Sequence, residues 1–274
     1  MIIEPFGRND IARFLELAAT ENWLAEQWEF DFLLRHFPQG CFTSRDNSDE
    51  TTGFITSIKY GNSGWIGNLI VAPRFRGQGF GETLFKASLQ ALKNAGAETI
   101  WLTASTAGKT IYEKKGFSAI DTIIRWSGSG RQRHTGNEAP PFSCIPGSLL
   151  NSIDYETWGD RRDELLNVAT LRGRLVESAG GCAVVQPCGD DLQLGPFSAH
   201  DSGSAENVLN AVLDSIQFEK KIYLDSPASN RSALLLFNRK RMRISGSNEL
   251  MYAGKKPDYR PQLLYGLATM GSCG

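Results

Sequence analysis

A turn with three glycines in five positions lies between an apolar stretch and a helical pattern. In "VAPRFRGQGFGETLF", residues 71–85, these are Gly77, Gly79 and Gly81. Glycine permits left-handed backbone dihedrals and close approach of another group, at a cost of roughly 0.5–1 kcal/mol in regular structure. A strand, such a turn and a helix together present unpaired main-chain N–H groups at the positive end of the helix dipole. The sequence therefore predicts an anion site suited to a phosphate.

Two better-known phosphate loops do not fit this turn. A dinucleotide-binding fingerprint that starts at Gly77 needs a third glycine at position 82, which is occupied by Glu82. A Walker loop needs Gly-Lys-Ser or Gly-Lys-Thr, and neither follows. On the turn alone, a plain strand-to-helix connection is an equally good interpretation.

Composition excludes several classes of protein and partner. The chain has 274 residues, of which 41% are hydrophobic and 22% charged, which is typical of a soluble globular protein with about two domains. A net charge of −1 disfavours a nucleic-acid or membrane partner. Five cysteines without Cys-x-x-Cys spacing predict reduced thiols and no metal site. With no export signal or apolar span, we expect a cytoplasmic protein; the oligomeric state is left open.

The pattern along the first half predicts alternating helices and strands. Helices are expected from about Ile11, over about 24–36 and over about 80–94, where apolar residues recur at helical spacing. The stretches "GCFTSR", "TTGFITSIKY" and "GWIGNLIVA" are separated by turn-rich segments and predict an antiparallel meander. "ETIWLTAS", "KTIYEKKGF" and "SAIDTIIRW" then read as strand, short helix and strand. The class is α/β (α+β).

Two motifs in this half carry a family resemblance. Residues 76–81, "RGQGFG", match the Arg/Gln-x-x-Gly-x-Gly/Ala loop of the GNAT superfamily of N-acetyltransferases, and "LIVAP" resembles the fourth strand of that family. "AGKTIYEKKGF", residues 107–117, is similar to the family's Ala-x-x-Leu-Tyr-x-Lys-x-Gly-Phe segment. The resemblance implies a mixed, mostly antiparallel sheet flanked by helices. It also implies acetyl-CoA as co-substrate and no metal.

The resemblance assigns roles to residues at matching positions. One of them, Tyr112, would face the departing sulfur and stabilise its charge through a hydrogen bond. Ser105 and Gly108 stand where many members carry Asn and Ala, which affects the expected pantetheine contacts there. The resemblance also implies that backbone groups of Leu69, Ile70 and Val71 align the pantetheine and polarise the thioester. The loop that would hold the pyrophosphate consists of Arg76, Gly77, Gln78, Gly79, Phe80 and Gly81.

The sequence offers no clear general base for the acceptor amine. The candidates are Glu26, Glu29, Asp31 and His36 from the second helical stretch, or a chain of waters. Each side chain is better explained as a solvated helix residue. Nearby aromatic residues could wall an acceptor pocket, but their helical spacing favours a place in the core; these are Trp23, Trp28 and Phe32.

The second half resembles a faded copy of the first. "SNRSALLLFNRKRM", residues 229–242, lies over the second motif at a constant offset of 125 positions, which puts Asn230 over Ser105 and Phe237 over Tyr112. "LQLGPFSA" lies over "GNLIVAP", and "KKIYLD" over "ETIWLT". The turn between them lacks the arginine and carries Asp201 and Glu206, whose charges would repel a pyrophosphate.

We therefore expect a tandem protein: residues 1–130 as an acetyl-CoA-binding GNAT domain, 131–146 as a Gly-, Ser- and Pro-rich linker, and 147–274 as a degenerate GNAT-like domain. The second domain would shape the acceptor site or only stabilise the first. The expected function is transfer of an acetyl group to a small-molecule or peptide amine by direct attack in a ternary complex. The alternative is a non-catalytic acyl-CoA sensor that acts through a protein partner. No role is predicted for the turn-rich stretch from Tyr252 to the end.

Overall fold

A computed structural model describes residues 1–130 and 148–274. The described chain forms two compact units, the first made of Met1–Leu102, Ala253–Lys255 and Gly271–Gly274, the second of Thr103–Tyr252 and Lys256–Met270. The predicted linker lies outside the described residues. No helix within the described ranges has the length and apolarity that crossing a bilayer requires. The described cysteines are buried thiols without a disulfide, namely Cys41, Cys182, Cys188 and Cys273.

The secondary structure alternates between strands and helices in both units. The helices of the described residues are α1 (Ile11–Thr20), α2 (Gln27–His36), α3 (Phe80–Asn94), α4 (Thr106–Glu113), α5 (Ser148–Trp158), α6 (Asp163–Arg172), α7 (Ser202–Ser215) and α8 (Arg231–Arg239). The strands are β1 (Ile2–Pro5), β2 (Phe42–Arg45), β3 (Thr51–Lys59), β4 (Ser63–Val71), β5 (Thr99–Ala104), β6 (Ser118–Ser129), β7 (Arg174–Ser178), β8 (Gly181–Cys188), β9 (Asp191–Ala199), β10 (Lys221–Pro227), β11 (Arg243–Gly254) and β12 (Leu264–Gly266).

The first unit contains a mixed sheet in the order β1-β2-β3-β4-β5. The antiparallel meander predicted for β2, β3 and β4 is confirmed, and β5 joins β4 in parallel. Helix α1 begins at the predicted residue and buries an apolar face, from which Phe14 packs on Phe30 and Phe54 at ring distances of 4.5 and 5.7 Å. These aromatic rings fix the helical layer on the sheet.

Two predictions near α2 are wrong. The helix begins at Gln27 rather than at position 24, because Glu26 and Glu29 form a capping box at its N-terminus. Trp23 lies in the turn before it and is 42% exposed, so it is not a core residue. The preceding Asn22 has a φ of 57°, which ends the helical path after α1. Phe32 is buried, as its spacing predicted.

The second unit contains a mostly antiparallel sheet in the order β11-β6-β10-β9-β8-β7, with β12 also paired to β9. Strands β6 and β11 follow the two copies of the second motif, and they pair with each other in antiparallel fashion. Strand β6 belongs to the first half of the sequence but pairs with strands of the second half. The two compact units therefore do not coincide with the two halves of the sequence. The boundaries at residues 130 and 147 stay predictions.

The repeat is visible in how α4 and α8 begin. The Ser105 side chain caps α4 by accepting a hydrogen bond from the Gly108 N–H at 3.2 Å. Asn230, 125 positions later, caps α8 by accepting one from the Ala233 N–H at 3.0 Å. Equivalent positions in the two copies therefore serve as the N-cap of the helix that follows.

Candidate active site

Strands β4 and β5 separate at a defined point. Their parallel pairing runs from Ser63 opposite Thr99 to Ile66 opposite Leu102 and then stops. Along residues 67–71, no strand of the described ranges pairs with β4 on the β5 side. The three residues predicted to align the pantetheine, Leu69, Ile70 and Val71, all lie in this unpaired stretch.

A β-bulge accompanies the separation. On the β3 side, Thr56 pairs with Gly67 and Phe54 with Ile70, so one residue of β3 faces two of β4. Asn68 sits in the bulge with a φ of 56°, and its side-chain amide donates to the Thr56 hydroxyl at 3.1 Å. A bulge bends the strand that carries it, which turns β4 away from β5.

The glycine turn leads directly into α3. Gly77 and Gly79 have φ angles of 76° and 89°, and Gly79 is the N-cap of the helix. A Cβ at either position would meet nothing within 4 Å, so these glycines are required by backbone conformation and not by crowding inside the protein. At Gly81 a Cβ would lie 3.3 Å from the Val71 side chain, so here the small residue lets the helix pack closely on β4.

The main-chain N–H groups of the turn are available to a ligand. Across the parts of the chain that the structure describes, the N–H groups of residues 77–81 donate to no acceptor. The first bond into the helix is from the Thr83 N–H to the Gly79 carbonyl at 3.0 Å. From Arg76 through Gly79 the residues are exposed. A helix N-terminus that is exposed and whose N–H groups have no acceptor can donate hydrogen bonds to a bound anion.

Side chains hold this turn in shape. The Arg76 guanidinium donates to the Val71 carbonyl at 2.9 Å and to the Glu21 carboxylate at 2.5 Å. The Gln78 amide donates to the Arg74 carbonyl at 2.9 Å. Phe80 is buried, with its ring 5.6 Å from that of Phe75. The predicted loop side chains thus fix the path of the backbone.

Helix α4 carries the other predicted site residues. A Cβ on Gly108 would lie 3.3 Å from Cε2 of Tyr112, so the glycine leaves room for the phenol ring. The Tyr112 ring lies 6.1 Å from that of Phe117, and burial raises the pKa of the Tyr112 phenol to about 12. The phenol is therefore protonated at neutral pH and can act only as a hydrogen-bond donor to an anion.

The candidate bases have structural partners. Glu26 accepts a hydrogen bond from the Trp28 indole at 2.9 Å and shares the capping box of α2 with Glu29. Asp31 pairs with Arg8 at 3.3 Å, and His36 packs against Phe32 at 4.8 Å. Glu29 is buried, so the prediction of a solvated side chain is wrong for this residue. None of these contacts singles out a general base.

Comparison with known proteins identifies the family. A model described as an acetyltransferase (GNAT) domain matches residues 19–129, and a second model of the same description matches residues 150–266. The chain belongs to the GNAT family of acetyltransferases. It contains two such domains in tandem, as the motifs and the repeat predicted, and the GNAT fold class is confirmed.

Named relatives match mainly one half of the chain. N-alpha-acetyltransferase 30 of Schizosaccharomyces pombe is 26% identical over 125 residues, which are 43% of this chain and 81% of that protein. Mycothiol acetyltransferase of Propionibacterium freudenreichii subsp. shermanii is 28% identical over 131 residues, 44% of this chain and 40% of that protein.

Solved structures resemble the whole chain. A Pyrococcus horikoshii protein assigned as an acetyltransferase superposes with a TM-score of 0.85 at 23% identity, over 100% of this chain and 95% of the other. A GCN5-related N-acetyltransferase from Sphaerobacter thermophilus gives a TM-score of 0.63 at 16% identity, over 97% and 98% of the two chains. At these identities the likeness shows the fold.

One residue of the candidate site was missed by sequence reasoning. Asn68 lies in the β-bulge next to the point where the β4–β5 pairing ends, yet it belongs to a stretch that reads as a continuous strand. Asparagine is among the few residues that adopt this conformation readily, so the Gly67-Asn68 pair was an available signal. Among the described residues, no group of three His, Cys, Asp or Glu side chains could hold a metal ion.

Proposed function

We propose that the first GNAT domain binds acetyl-CoA and transfers its acetyl group to an amine, with both reactants bound together. The observation that carries this proposal is the turn at residues 77–81, which is exposed from Gly77 through Gly79 and whose N–H groups have no acceptor in the described chain. Such groups at a helix N-terminus favour a diphosphate through hydrogen bonds and the helix dipole.

In this proposal the unpaired part of β4 aligns the rest of the coenzyme. Within the described residues no strand pairs with residues 67–71 on the β5 side, so their main-chain groups would bond the pantetheine amides. A β4 N–H aimed at the thioester oxygen would stabilise the negative charge that develops there when the amine attacks. Positioning of the two reactants supplies most of the remaining rate.

Tyr112 is proposed to assist the departure of the thiolate. Its pKa of about 12 exceeds the reference value of about 8.5 for a thiol, so full proton transfer would be uphill by roughly 5 kcal/mol. A hydrogen bond from the phenol to the developing thiolate avoids this cost. The residue would therefore stabilise charge rather than deliver its proton.

The names of the relatives suggest the first acceptors to test. One relative is an N-alpha-acetyltransferase. Another is the [ribosomal protein bS18]-alanine N-acetyltransferase of Haemophilus influenzae, 36% identical over 56 residues, which are 20% of this chain and 38% of that protein. We therefore place peptides with a free α-amino group first among acceptors and small amines second.

The proposal is tested by following the release of free CoA thiol from acetyl-CoA. The panel contains peptides that begin with alanine and with other residues, the same peptides with a blocked N-terminus, and small amines. Turnover with at least one free amine, and none with the blocked peptides, is expected. Tight acetyl-CoA binding without turnover on any acceptor would instead favour the acyl-CoA sensor.

Replacing Tyr112 by phenylalanine is expected to lower kcat by about 10- to 100-fold, because one hydrogen bond to a charged group contributes about 1.5–3 kcal/mol. The dissociation constant of acetyl-CoA should change less than threefold, since the ring remains. The ratio of the wild-type kcat to the kcat of Tyr112→Phe should stay constant up to about pH 10, because the phenol keeps its proton below its pKa of about 12. An unchanged kcat in Tyr112→Phe would remove Tyr112 from the mechanism.

A further inference from the structure

The second copy also contains a strand separation. In the part of the chain that the structure describes, strands β9 and β10 pair in parallel at two positions, Leu192 opposite Ile222 and Gln193 opposite Tyr223. On its other side, β9 has a register shift against β8 between the pairs Ala183–Phe197 and Val185–Leu194. A bulge and an early end of parallel pairing thus recur on the strand that the repeat aligns with β4.

In this copy a segment of the same chain lies in the opening between β9 and β10. In β12, Leu264 pairs with Ser198 and Gly266 with Phe197 of β9. On the other side, the Leu267 N–H donates to the Asp225 carbonyl of β10 at 2.8 Å. The segment therefore lies between β9 and β10 and uses main-chain groups of both.

Side chains of the second unit fix this segment further. The Asn230 amide donates to the Leu264 carbonyl at 2.8 Å. The buried Gln186 and Gln193 amides donate to the Ala268 carbonyl at 3.0 and 3.2 Å. A Cβ on Gly195 would overlap the Leu267 carbonyl oxygen, so glycine there permits the close approach.

The anion site of the second copy is also occupied from within. Asp201 is the N-cap of α7 and accepts hydrogen bonds from the N–H groups of Gly203 at 2.8 Å and Ser204 at 2.9 Å. The Ser204 hydroxyl donates to the same carboxylate at 2.6 Å. These bonds hold the pKa of Asp201 below its usual value, so the group is an anion at neutral pH. In α3 the equivalent N-cap, Gly79, has no side chain to cap with.

We propose that the second GNAT cleft is a peptide-binding cleft whose ligand is the chain's own segment 264–270, so that the protein binds one acetyl-CoA and not two. An extended peptide takes the place along β9 that pantetheine would take along β4, and the Asp201 carboxylate takes the place of the diphosphate. The segment is held by strand addition, a common mode of peptide recognition. The inference rests on the function proposed for the first cleft.

The test combines stoichiometry with hydrogen exchange on the full chain. Titration calorimetry with acetyl-CoA is expected to give one equivalent, and Gly79→Asp should weaken this binding by at least about 100-fold. Hydrogen exchange followed by mass spectrometry should show slower exchange at residues 76–85 when acetyl-CoA is added. Peptides that cover residues 264–270 should show no change, because the coenzyme does not displace the segment.

A second variant tests the Asp201 carboxylate separately from the segment 264–270. Asp201→Ala removes the carboxylate but leaves β12 in place, so the stoichiometry should stay at one equivalent, with folding checked by circular dichroism. Two equivalents in the wild type or in Asp201→Ala would overturn the inference, as would faster exchange at 264–270 on adding acetyl-CoA. No binding at all in the wild type would overturn the proposed function instead.

Discussion

Replacing Gly79 by aspartate is expected to weaken acetyl-CoA binding by at least about 100-fold. Gly79 has a φ of 89° and lies among N–H groups that donate to no acceptor within the described residues. An aspartate there would place a negative charge at the proposed diphosphate position, or would satisfy the N–H groups as Asp201 does at α7. A 100-fold loss corresponds to about 2.7 kcal/mol and is measurable by calorimetric titration.

Gly96→Asp is the matched control for this change. Gly96 follows the other end of α3, has a φ of 78°, and a Cβ there would also meet nothing within 4 Å. The two variants therefore share backbone strain and added charge, but only one alters the turn. We expect Gly96→Asp to bind acetyl-CoA like the wild type. Equal losses in both variants, or no loss in Gly79→Asp, would contradict the assignment of the diphosphate.

Replacing Arg162 by methionine is expected to lower the free energy of unfolding by about 3–5 kcal/mol, because it leaves a buried carboxylate without its partner. Arg162 and Asp154 are 3% and 2% exposed, and they are joined by hydrogen bonds of 3.0 and 2.6 Å. The guanidinium also lies 4.5 Å above the Trp158 ring. Urea unfolding followed by circular dichroism measures the change.

Two further variants test the cause of this loss. Arg239→Met removes one partner of an exposed pair with Glu206 and should cost less than about 1 kcal/mol. Combining Arg162→Met with Asp154→Leu replaces both buried charges and should recover most of the stability. If Arg162→Met lowered the free energy of unfolding no more than Arg239→Met does, burial of the Arg162–Asp154 pair would not account for its contribution to stability.

Features set by a few neighbouring residues were predictable from the sequence. The glycine turn depends on the backbone preferences of a few neighbouring residues, and the meander on short turns that join consecutive strands, so both were predicted. The start of α2 and the exposure of Trp23 were not predicted, because aromatic spacing alone cannot tell a helix from a turn that presents one aromatic residue to solvent.

The electrostatic surroundings of the turn were only partly predictable. The motif marked Arg76 as a coenzyme contact, whereas the folded chain bonds its guanidinium to Glu21, a residue 55 positions away. Glu206 was expected to repel a pyrophosphate, yet it pairs with Arg239 and Lys240 at 3.0 and 2.6 Å. Such pairs are not encoded by local spacing, because each depends on how separate helices pack.

The motifs and the repeat were sufficient to predict a strand, a turn and a helix of one family in each half, with three closely spaced glycines in the first turn and acidic residues in the second. Only the folded chain shows where the segment from Leu264 lies and how β4 pairs. Leu264 pairs with Ser198, and the bulge at Asn68 shifts the register of β4 on β3, through contacts between residues that no local pattern relates. Nearly every residue type offers the same main-chain donor and acceptor. The side chains of a segment therefore do not predict which strand edge the segment will pair with.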